Sequence, residues 1–330
     1  MNIGQRFYNW CRRIILCLRR FPKKIRIRPK FGSSFIQYWY CQSWSYDRWV
    51  NEYRMLQTIG INEIILQSIA DTKSNVAVYP SKMNGYSSNG VDMLETALSA
   101  ADNIGMNVRI GLGFNKDWWS PEAHGGTWLA READVNNLII TEVMMMYSGH
   151  RSLAGWYIPY EFNPLMVVTH DQQAHLNQFF QKIAGSIKLA SSKSIMIAPY
   201  YNARVSGPVT LTLWSNALRH VLKDTGIDIL ALQDSIGAGF NTLRDLDEVF
   251  ASTKKAADEI GLTLYAVTET FEGNGDKSLP ALQCQINEQL SRVSPFVREF
   301  VAFSIDHYQN GNESTQANGY KDYLQYYLNK

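Results

Sequence analysis

Two glutamates stand at the ends of apolar segments that could form buried strands. Glu161 closes the segment GWYIPYE, and Glu269 closes the segment LYAVTE. Paired carboxyl groups can act as an acid/base and a nucleophile, and retaining hydrolysis of a glycosidic bond needs them about 5–5.5 Å apart. Mutual repulsion and partial burial would raise the pKa of the acid. We therefore take Glu161 and Glu269 as the candidate catalytic pair, with Glu272 and Asp234 as the next candidates.

Hydrogen-bonding and aromatic residues follow the other apolar segments in the same way. Amides and carboxylates can hold the hydroxyl groups of a sugar, while flat rings stack on its apolar faces. The candidate substrate-binding residues are Gln37, Trp39, Gln67, Asn115, Trp118, Trp119, Tyr160, Tyr201, Asn202, Gln233, Asp234, Glu272, Asp306 and His307.

A repeating unit of the chain must position these residues. From residue 33 onward, a short apolar run, a polar loop and an amphipathic helix recur, and Ile-Gly precedes runs two, three and seven. Near-continuous apolar runs are typical of parallel strands covered by helices, and glycine often ends a helix. The eight predicted strands are Phe35–Cys41, Glu63–Ala70, Asn107–Phe114, Leu153–Glu161, Ser194–Tyr201, Ile227–Asp234, Leu262–Glu269 and Phe300–Asp306.

Eight such units predict the fold class. An α/β chain with eight strand–helix repeats forms a (β/α)₈ TIM barrel, whereas a doubly wound sheet usually has fewer strands. We expect one barrel domain over residues 33–330, preceded by a short basic extension over residues 1–32. Active sites of such barrels lie at the C-terminal ends of the strands, where the candidates above stand.

Several segments also resemble a known group of proteins. FIQYWYCQSWSYDRW, GWYIPYEFN, LQDSIG and TETFEG resemble a bacterial family of unknown function with glycosyl-hydrolase-like barrels, over roughly residues 33–330. Glutamates ending strands four and seven are similar to the arrangement of clan A glycoside hydrolases. The resemblance implies a retaining glycoside hydrolase acting on a polysaccharide, with Glu161 as acid/base and Glu269 as nucleophile.

Two departures from the clan support a second hypothesis. The clan usually has Asn directly before its acid/base, and this chain has Tyr160. The clan also has an aromatic residue at the end of strand eight, where we expect Asp306 and His307. The alternative is a non-catalytic carbohydrate-binding barrel in polysaccharide synthesis or export. A lyase or aldolase is weaker, because no predicted strand ends in the lysine that Schiff-base chemistry needs.

The sequence contains no recognisable motif for binding a cofactor or a metal ion. The four cysteines form no CxxC motif and have no histidine at metal-ligand spacing, so we expect unpaired thiols and no zinc site. Gly111 and Gly113 lie inside a predicted strand without the helix that a dinucleotide motif requires. We therefore expect neither a cofactor nor a metal.

The charge is unevenly distributed along the chain. Ten of the 32 Lys and Arg residues, and none of the 30 acidic residues, precede residue 47. The remaining body is therefore acidic, which argues against nucleic-acid binding. Phe7, Trp10, Ile14 and Leu18 recur at helical spacing among arginines, as in a helix lying on an anionic membrane, although residues 1–30 could equally be disordered. No apolar run is long enough for a transmembrane helix, and we expect location in the cell envelope or at the cytoplasmic membrane face.

Overall fold

A closed barrel of eight parallel strands forms the centre of the protein. The structure is a computed structural model, and it describes residues 28–88, 90–120, 123, 125–206, 210–274, 277–313 and 316–328. Each strand pairs with its neighbours in sequence, and β8 closes on β1, so the predicted (β/α)₈ barrel is confirmed. The strands are β1 (Ser33–Ile36), β2 (Glu63–Leu66), β3 (Asn107–Gly111), β4 (Leu153–Ile158), β5 (Ser194–Ile197), β6 (Ile229–Gln233), β7 (Thr263–Glu269) and β8 (Glu299–Phe303).

One long helix follows each barrel strand. These helices are α1 (Tyr46–Thr58), α2 (Met93–Ile104), α3 (Gly126–Tyr147), α4 (His170–Ala190), α5 (Leu211–Leu222), α6 (Leu246–Glu259), α7 (Gln283–Val293) and α8 (Ala317–Leu328). The described connections contain the four-residue helices Tyr38–Cys41 and Ile305–Tyr308 and the 3₁₀ turns Lys116–Trp119 and Pro164–Met166. The loops also contain the hairpin Phe271–Asn274/Lys277–Pro280 and a small sheet of Ala70–Asp71, Val76–Ala77, Ser87–Ser88 and Gly113–Phe114.

The helices begin and end where local chemistry dictates. Asp92 caps α2 by accepting a hydrogen bond from the Glu95 amide, which satisfies one of the free N–H groups of the first turn. Gly105 ends α2 with φ of 72° and Gly261 follows α6 with φ of 75°. That backbone conformation favours glycine, so the Ile-Gly dipeptides mark the point where a helix turns back toward the sheet.

Two apolar layers hold the barrel together. The inner layer fills the barrel with side chains such as Phe35, Tyr157 and Val267, and the outer layer packs the strands against the helices. The Phe35 ring meets the Tyr157 ring edge-on at 5.2 Å between centroids. Because these side chains fill the barrel, its interior is a packed core and not a channel. Burying one side chain of this size stabilises the fold by roughly 1.5–3 kcal/mol.

The first predicted strand is wrong over its second half. Residues 33–36 form β1, but residues 38–41, expected to continue the strand, form a helical turn. The Gln37 amide donates to the Tyr40 hydroxyl at 3.0 Å, which folds the chain back on itself. This turn places Trp39 above the strand ends with about half of its side chain exposed.

The cysteines differ from the expectation of unpaired thiols. Cys41 is a free thiol and is buried, as expected, but Cys284 is disulfide-bonded, and the expectation is wrong for that residue. The amphipathic pattern over residues 6–20 lies outside the described residues. Among the residues described, no helix is long and apolar enough to cross a membrane.

Candidate active site

Glu161 and Glu269 both lie at the C-terminal mouth of the barrel. Glu269 is the last residue of β7, and Glu161 follows β4 by three residues. Glu269 is only 5% exposed, whereas Glu161 is half-buried. The charge of Glu161 is one of the causes that raise the pKa of Glu269, so the two carboxyl groups interact through space. The separation of about 5–5.5 Å expected for a retaining pair stays a prediction.

A loop after β6 holds the Glu269 carboxyl group. The amide of Ala238 donates to Oε2 of Glu269 at 2.6 Å, and the amide of Gly237 interacts with the same carboxyl group. A Cβ atom on Gly237 would lie 2.4 Å from the carbonyl oxygen of Phe271. Only glycine therefore lets this loop approach closely enough to direct two amides at Glu269.

The electrostatic surroundings of Glu269 favour its protonated form. Burial, then the charge of Asp234 and then that of Glu161 raise the pKa of Glu269 to about 8, against the lowering effect of the Ala238 and Gly237 amides. A carboxyl group that loses water and faces like charges binds its proton more tightly. Glu269 therefore holds its proton more tightly than an exposed glutamate does.

Glu161 also has a raised pKa, but for a simpler reason. Burial raises the pKa of Glu161 to about 7, while the side chains of Gln233 and Tyr157 stabilise its charged form. The Tyr157 hydroxyl donates to Oε1 of Glu161 at 3.3 Å, and the Trp118 indole N–H donates to the Glu161 carbonyl at 2.6 Å. Backbone and side chain of Glu161 are thus both held by neighbouring residues.

Asp234 lies beneath Glu269 instead of at the surface of the mouth. Its side chain is fully buried and accepts hydrogen bonds from the Glu269 and Ile236 amides at 3.3 and 3.2 Å. Gln289 Nε2 donates both to Oδ2 of Asp234 at 2.8 Å and to the Glu269 carbonyl at 3.2 Å. Burial raises the pKa of Asp234 to about 7. The structure therefore assigns Asp234 to the support of Glu269, and the expected contact with substrate is corrected.

A buried network around Glu132 takes up two other expected binding residues. Tyr160 is fully buried outside the barrel, and its hydroxyl donates to Oε2 of Glu132 at 2.9 Å. Asn115 donates to Oε1 of Glu132 at 2.8 Å, and Thr72 donates to Oε2 at 2.7 Å. Trp118 is also fully buried, against Tyr160. Direct substrate contacts from Tyr160 and Trp118 are corrected for this reason. Side chains alternate along the segment that continues β4, which turns Tyr160 into the helix layer, and Trp118 packs against it there from the 3₁₀ turn.

Strand five shows the same effect of alternation. Tyr201 is 6% exposed and packs on Trp214 in the helix layer, so the expectation that it faces substrate is corrected. The neighbouring residue Tyr200 is only half-buried, and its hydroxyl accepts a hydrogen bond from Asn163 at 2.9 Å. Asn202 follows in a turn, where its side chain accepts from the Arg204 amide at 3.1 Å.

The remaining expected binding residues line the mouth from β1, β2, β6, β7 and β8. Gln37 donates to Gln67 at 2.6 Å, and both side chains are half-buried. Gln233 donates to the carbonyl of Ala198 at 2.7 Å. Glu272 lies half-buried on the hairpin after β7. These four polar side chains lie at the C-terminal ends of the strands, on the side of the barrel that carries the carboxyl pair.

Asp306 and His307 lie in the short helix after β8. Asp306 is 5% exposed and accepts a hydrogen bond from the Tyr40 hydroxyl. Burial and the charge of Glu52 raise the pKa of Asp306 to about 8. The His307 ring stacks on the Tyr40 ring at 4.9 Å, and burial lowers its pKa. Asp306 is thus enclosed, while His307 forms part of the aromatic rim.

Aromatic residues at the mouth were missed by sequence reasoning. Phe303 ends β8 and pairs in register with Glu269, so strand eight does end in an aromatic residue, before the expected Asp306. Phe271 packs on Tyr308 at 4.8 Å and on Phe303 at 6.3 Å. Side chains alternate along a strand, so Phe303, two residues after the inward-facing Val301, also faces inward. The sequence therefore contained the signal, but the predicted strand continued to Asp306, and Phe303 was not recognised as its last residue.

Comparisons with known proteins agree with the barrel. Residues 32–316 match the profile of a family described as "Domain of unknown function (DUF4434)". No curated protein sequence matches the chain. A putative α-L-fucosidase from Bacteroides thetaiotaomicron VPI-5482 is 19% identical, covers 95% of this chain and 99% of its own, and has a TM-score of 0.77.

Two further solved structures share the fold. The endo-1,4-β-D-mannanase of Thermotoga petrophila RKU-1 is 13% identical over 90% of this chain and 99% of its own, with a TM-score of 0.59. The family 1 β-glucosidase of Thermotoga maritima is 10% identical over 93% and 100%, with a TM-score of 0.55. At these identities the likeness shows the (β/α)₈ barrel fold, and the chemistry must be argued from the site.

Proposed function

Because the chain belongs to the DUF4434 family, whose activity its name leaves open, we propose from the site that it is a retaining glycoside hydrolase acting on a polysaccharide. One observation carries the proposal: two carboxyl groups, Glu161 after β4 and Glu269 at the end of β7, interact at the barrel mouth, and both have raised pKa values. Raised and coupled carboxyl groups of this kind are typical of sites that move protons.

The proposed reaction has two steps. Glu161, protonated, donates its proton to the glycosidic oxygen while a carboxylate oxygen of Glu269 attacks the anomeric carbon, so that the glycosidic bond breaks and a glycosyl ester forms. Glu161 then removes a proton from water, whose oxygen attacks the anomeric carbon and releases Glu269. Each glutamate returns to its starting state.

Each glutamate is supported in its role by its neighbours. A pKa of about 7 keeps Glu161 protonated in mildly acidic solution, as an acid requires. Glu269 must be ionised to attack, and the Ala238 and Gly237 amides stabilise that form. The pKa of Glu269 nevertheless exceeds that of Glu161, so the assignment of roles rests on strand position and resemblance and not on the order of the two pKa values.

A second function is favoured by Tyr160. This residue stands where clan A glycosidases usually have an asparagine, and its side chain is turned away to Glu132. The mouth therefore lacks a polar side chain from that position, which could leave a barrel that binds carbohydrate without cleaving it. The competing proposal is a non-catalytic carbohydrate-binding protein.

Substitution of the two glutamates separates the two functions. Glu269→Gln removes the nucleophile and should lower turnover by several orders of magnitude, while binding persists. Glu161→Gln should be severe on natural linkages but milder on activated aryl glycosides, which need less protonation of the leaving group. The assay is reducing-end release from β-glucans and bacterial exopolysaccharides, with affinity electrophoresis on the same polymers.

The matched control is Glu248→Gln, because Glu248 is exposed on α6. It should keep both activity and binding. Binding without cleavage by the unaltered protein across all polymers would contradict the hydrolase proposal and favour the binding protein.

A further inference from the structure

Two tryptophans of the described part of the chain are exposed, and both stand at the barrel mouth. Trp39 is 52% exposed in the turn after β1, and Trp119 is 51% exposed in the 3₁₀ turn after β3. The other described tryptophans are buried or half-buried, as expected for a side chain that gains most from leaving water. Exposed rings of this size point to a ligand that covers them.

Each exposed tryptophan belongs to a group of rings. Trp39 meets the His307 ring edge-on at 5.1 Å, His307 contacts Tyr308 at 4.6 Å, and Tyr308 stacks on Phe271. Together with Tyr40, which stacks on His307, we name these residues the first platform. They come from the loops after β1, β7 and β8.

A second group of rings surrounds Trp119. Trp119 lies 6.3 Å from Phe114 and 6.5 Å from Tyr200, and Tyr200 stacks on Phe240 at 5.6 Å. We name these four residues the second platform. They come from the segments that follow β3, β5 and β6.

The closed barrel places the two platforms on opposite arcs of the mouth. Going round the barrel in its observed order, β7, β8 and β1 form one arc, and β3 to β6 form the other. Glu269 belongs to the first arc and Glu161 to the second, and these two carboxyl groups interact. The carboxyl pair therefore lies between the platforms.

The chemistry of the mouth restricts what can bridge it. Flat aromatic faces stack on the apolar faces of pyranose rings. Glu161, Glu269 and Glu272 provide carboxyl groups between or beside the platforms. A carboxylate or sulfate on a ligand would oppose the ionisation of Glu269, whose pKa its acidic neighbours already raise, and would therefore bind there at a cost in affinity. The fitting ligand is an uncharged sugar chain long enough to reach both platforms.

We propose that an extended neutral polysaccharide crosses the mouth from the platform of Trp39 to the platform of Trp119, so that the bond held between Glu161 and Glu269 is internal to the chain. Cleavage within the chain, an endo mode, rests on the proposed hydrolase function. The binding of the polysaccharide across both platforms does not depend on hydrolysis. It adds to that function the substrate class and the length of chain bound.

The test compares ligand length with loss of each platform. Trp39→Ala and Trp119→Ala should each weaken binding of long neutral oligosaccharides by about tenfold, and together by about a hundredfold, since a buried Trp anchor is commonly worth that much and distant sites add. Disaccharides, which reach neither or only one platform, should lose less than about threefold. Affinity is measured by calorimetry on gluco-, manno- and xylo-oligosaccharides of increasing length.

The matched control is Tyr46→Ala, since Tyr46 is an exposed ring at the start of α1 that belongs to neither platform. It should leave the affinity for every length unchanged. Equal affinity of the unaltered protein for disaccharides and long chains, no effect of either tryptophan, or binding of uronic-acid polymers with none of neutral chains would each overturn the proposal.

Product analysis separates this inference from the hydrolase proposal. If the protein cleaves, long chains should fall first to mid-sized fragments, and release of single sugars from the outset would overturn the internal position of the bond. If the protein cleaves nothing while length-dependent binding requires both tryptophans, the hydrolase proposal fails and the bridging of the platforms stands.

Discussion

Replacing Asp234 by asparagine should make the site work at lower pH. Asp234 is fully buried, and its charge is the largest electrostatic cause, after burial, of the raised pKa of Glu269. Asn keeps the size of the side chain and an oxygen that can accept from the Glu269 and Ile236 amides. Its new NH₂ would face Gln289, whose buried Oε1 has no partner among the described residues and can accept after the amide turns over.

The size of the effect follows from the two pKa values. With Glu269 near 8 and Glu161 near 7, less than about a tenth of the molecules hold an ionised Glu269 and a protonated Glu161 at any pH. Because Asp234 is itself charged only above about pH 7, its removal should lower the pKa of Glu269 by about 1 unit, toward 7. The productive fraction should then rise about fourfold, with an optimum near pH 7.

Stability gives a readout that does not depend on activity. The folded-state pKa of Asp234, about 7, lies above the ordinary value of 3.8, so its ionisation costs stability as the pH rises. That cost is absent at pH values below 3.8 and is fully present above about 7. Asp234→Asn should therefore stabilise the protein above pH 7 by up to about 4 kcal/mol, at about 1.4 kcal/mol per pKa unit, and not at pH 3.

The assay is the pH dependence of kcat/KM on an activated aryl glycoside, together with urea unfolding at acidic and alkaline pH. The control is Asp224→Asn, because Asp224 is exposed after α5 with φ of 56°, a conformation that asparagine also adopts. It should leave both profiles unchanged. An Asp234→Asn profile that keeps its acidic limb in place, or that moves it to higher pH, would refute the electrostatic reasoning, as would lower stability at pH 8.

Two further predictions concern the loop after β6 and the basic extension. Gly237→Ala should abolish activity and destabilise the fold, because the new Cβ would lie 2.4 Å from the Phe271 carbonyl oxygen and 3.0 Å from Oε2 of Glu269. The control is Gly185→Ala, because a Cβ at Gly185 meets nothing within 4 Å. Equal activity of the two variants would contradict this prediction. We also propose that residues 1–30 bind anionic membrane. Deleting them should leave a folded barrel and weaken binding to phosphatidylserine vesicles in a salt-dependent way, and undiminished binding would show that this segment is no anchor.

The general architecture follows from the sequence alone. Eight apolar runs separated by amphipathic helices predict a barrel because each strand must be covered on both faces, and that pattern is local. The rule that strand ends meet at one mouth then selects Glu161 and Glu269 without any coordinates. Family membership is likewise fixed by residues 32–316 of the sequence.

The exact direction of each side chain was decided only by the tertiary structure. Tyr160 and Tyr201 stand at strand ends, but a one-residue step in a strand reverses the face, so both are buried in the helix layer while Tyr200 lies at the mouth. The length of β8 was likewise decided by the tertiary structure. Because β8 ends at Phe303, an aromatic ring lies beside Glu269.

The electrostatics of the site also required the folded chain. Asp234 and Glu269 are 35 residues apart, and nothing in their local sequence shows that the first would lie buried beneath the second. Gln289 and the Ala238 amide complete that arrangement from two other segments. The sequence determined which acids reach the mouth, because strand ends are local features. The fold decided which acid is exposed and which is enclosed, because burial and charge depend on every neighbour in space.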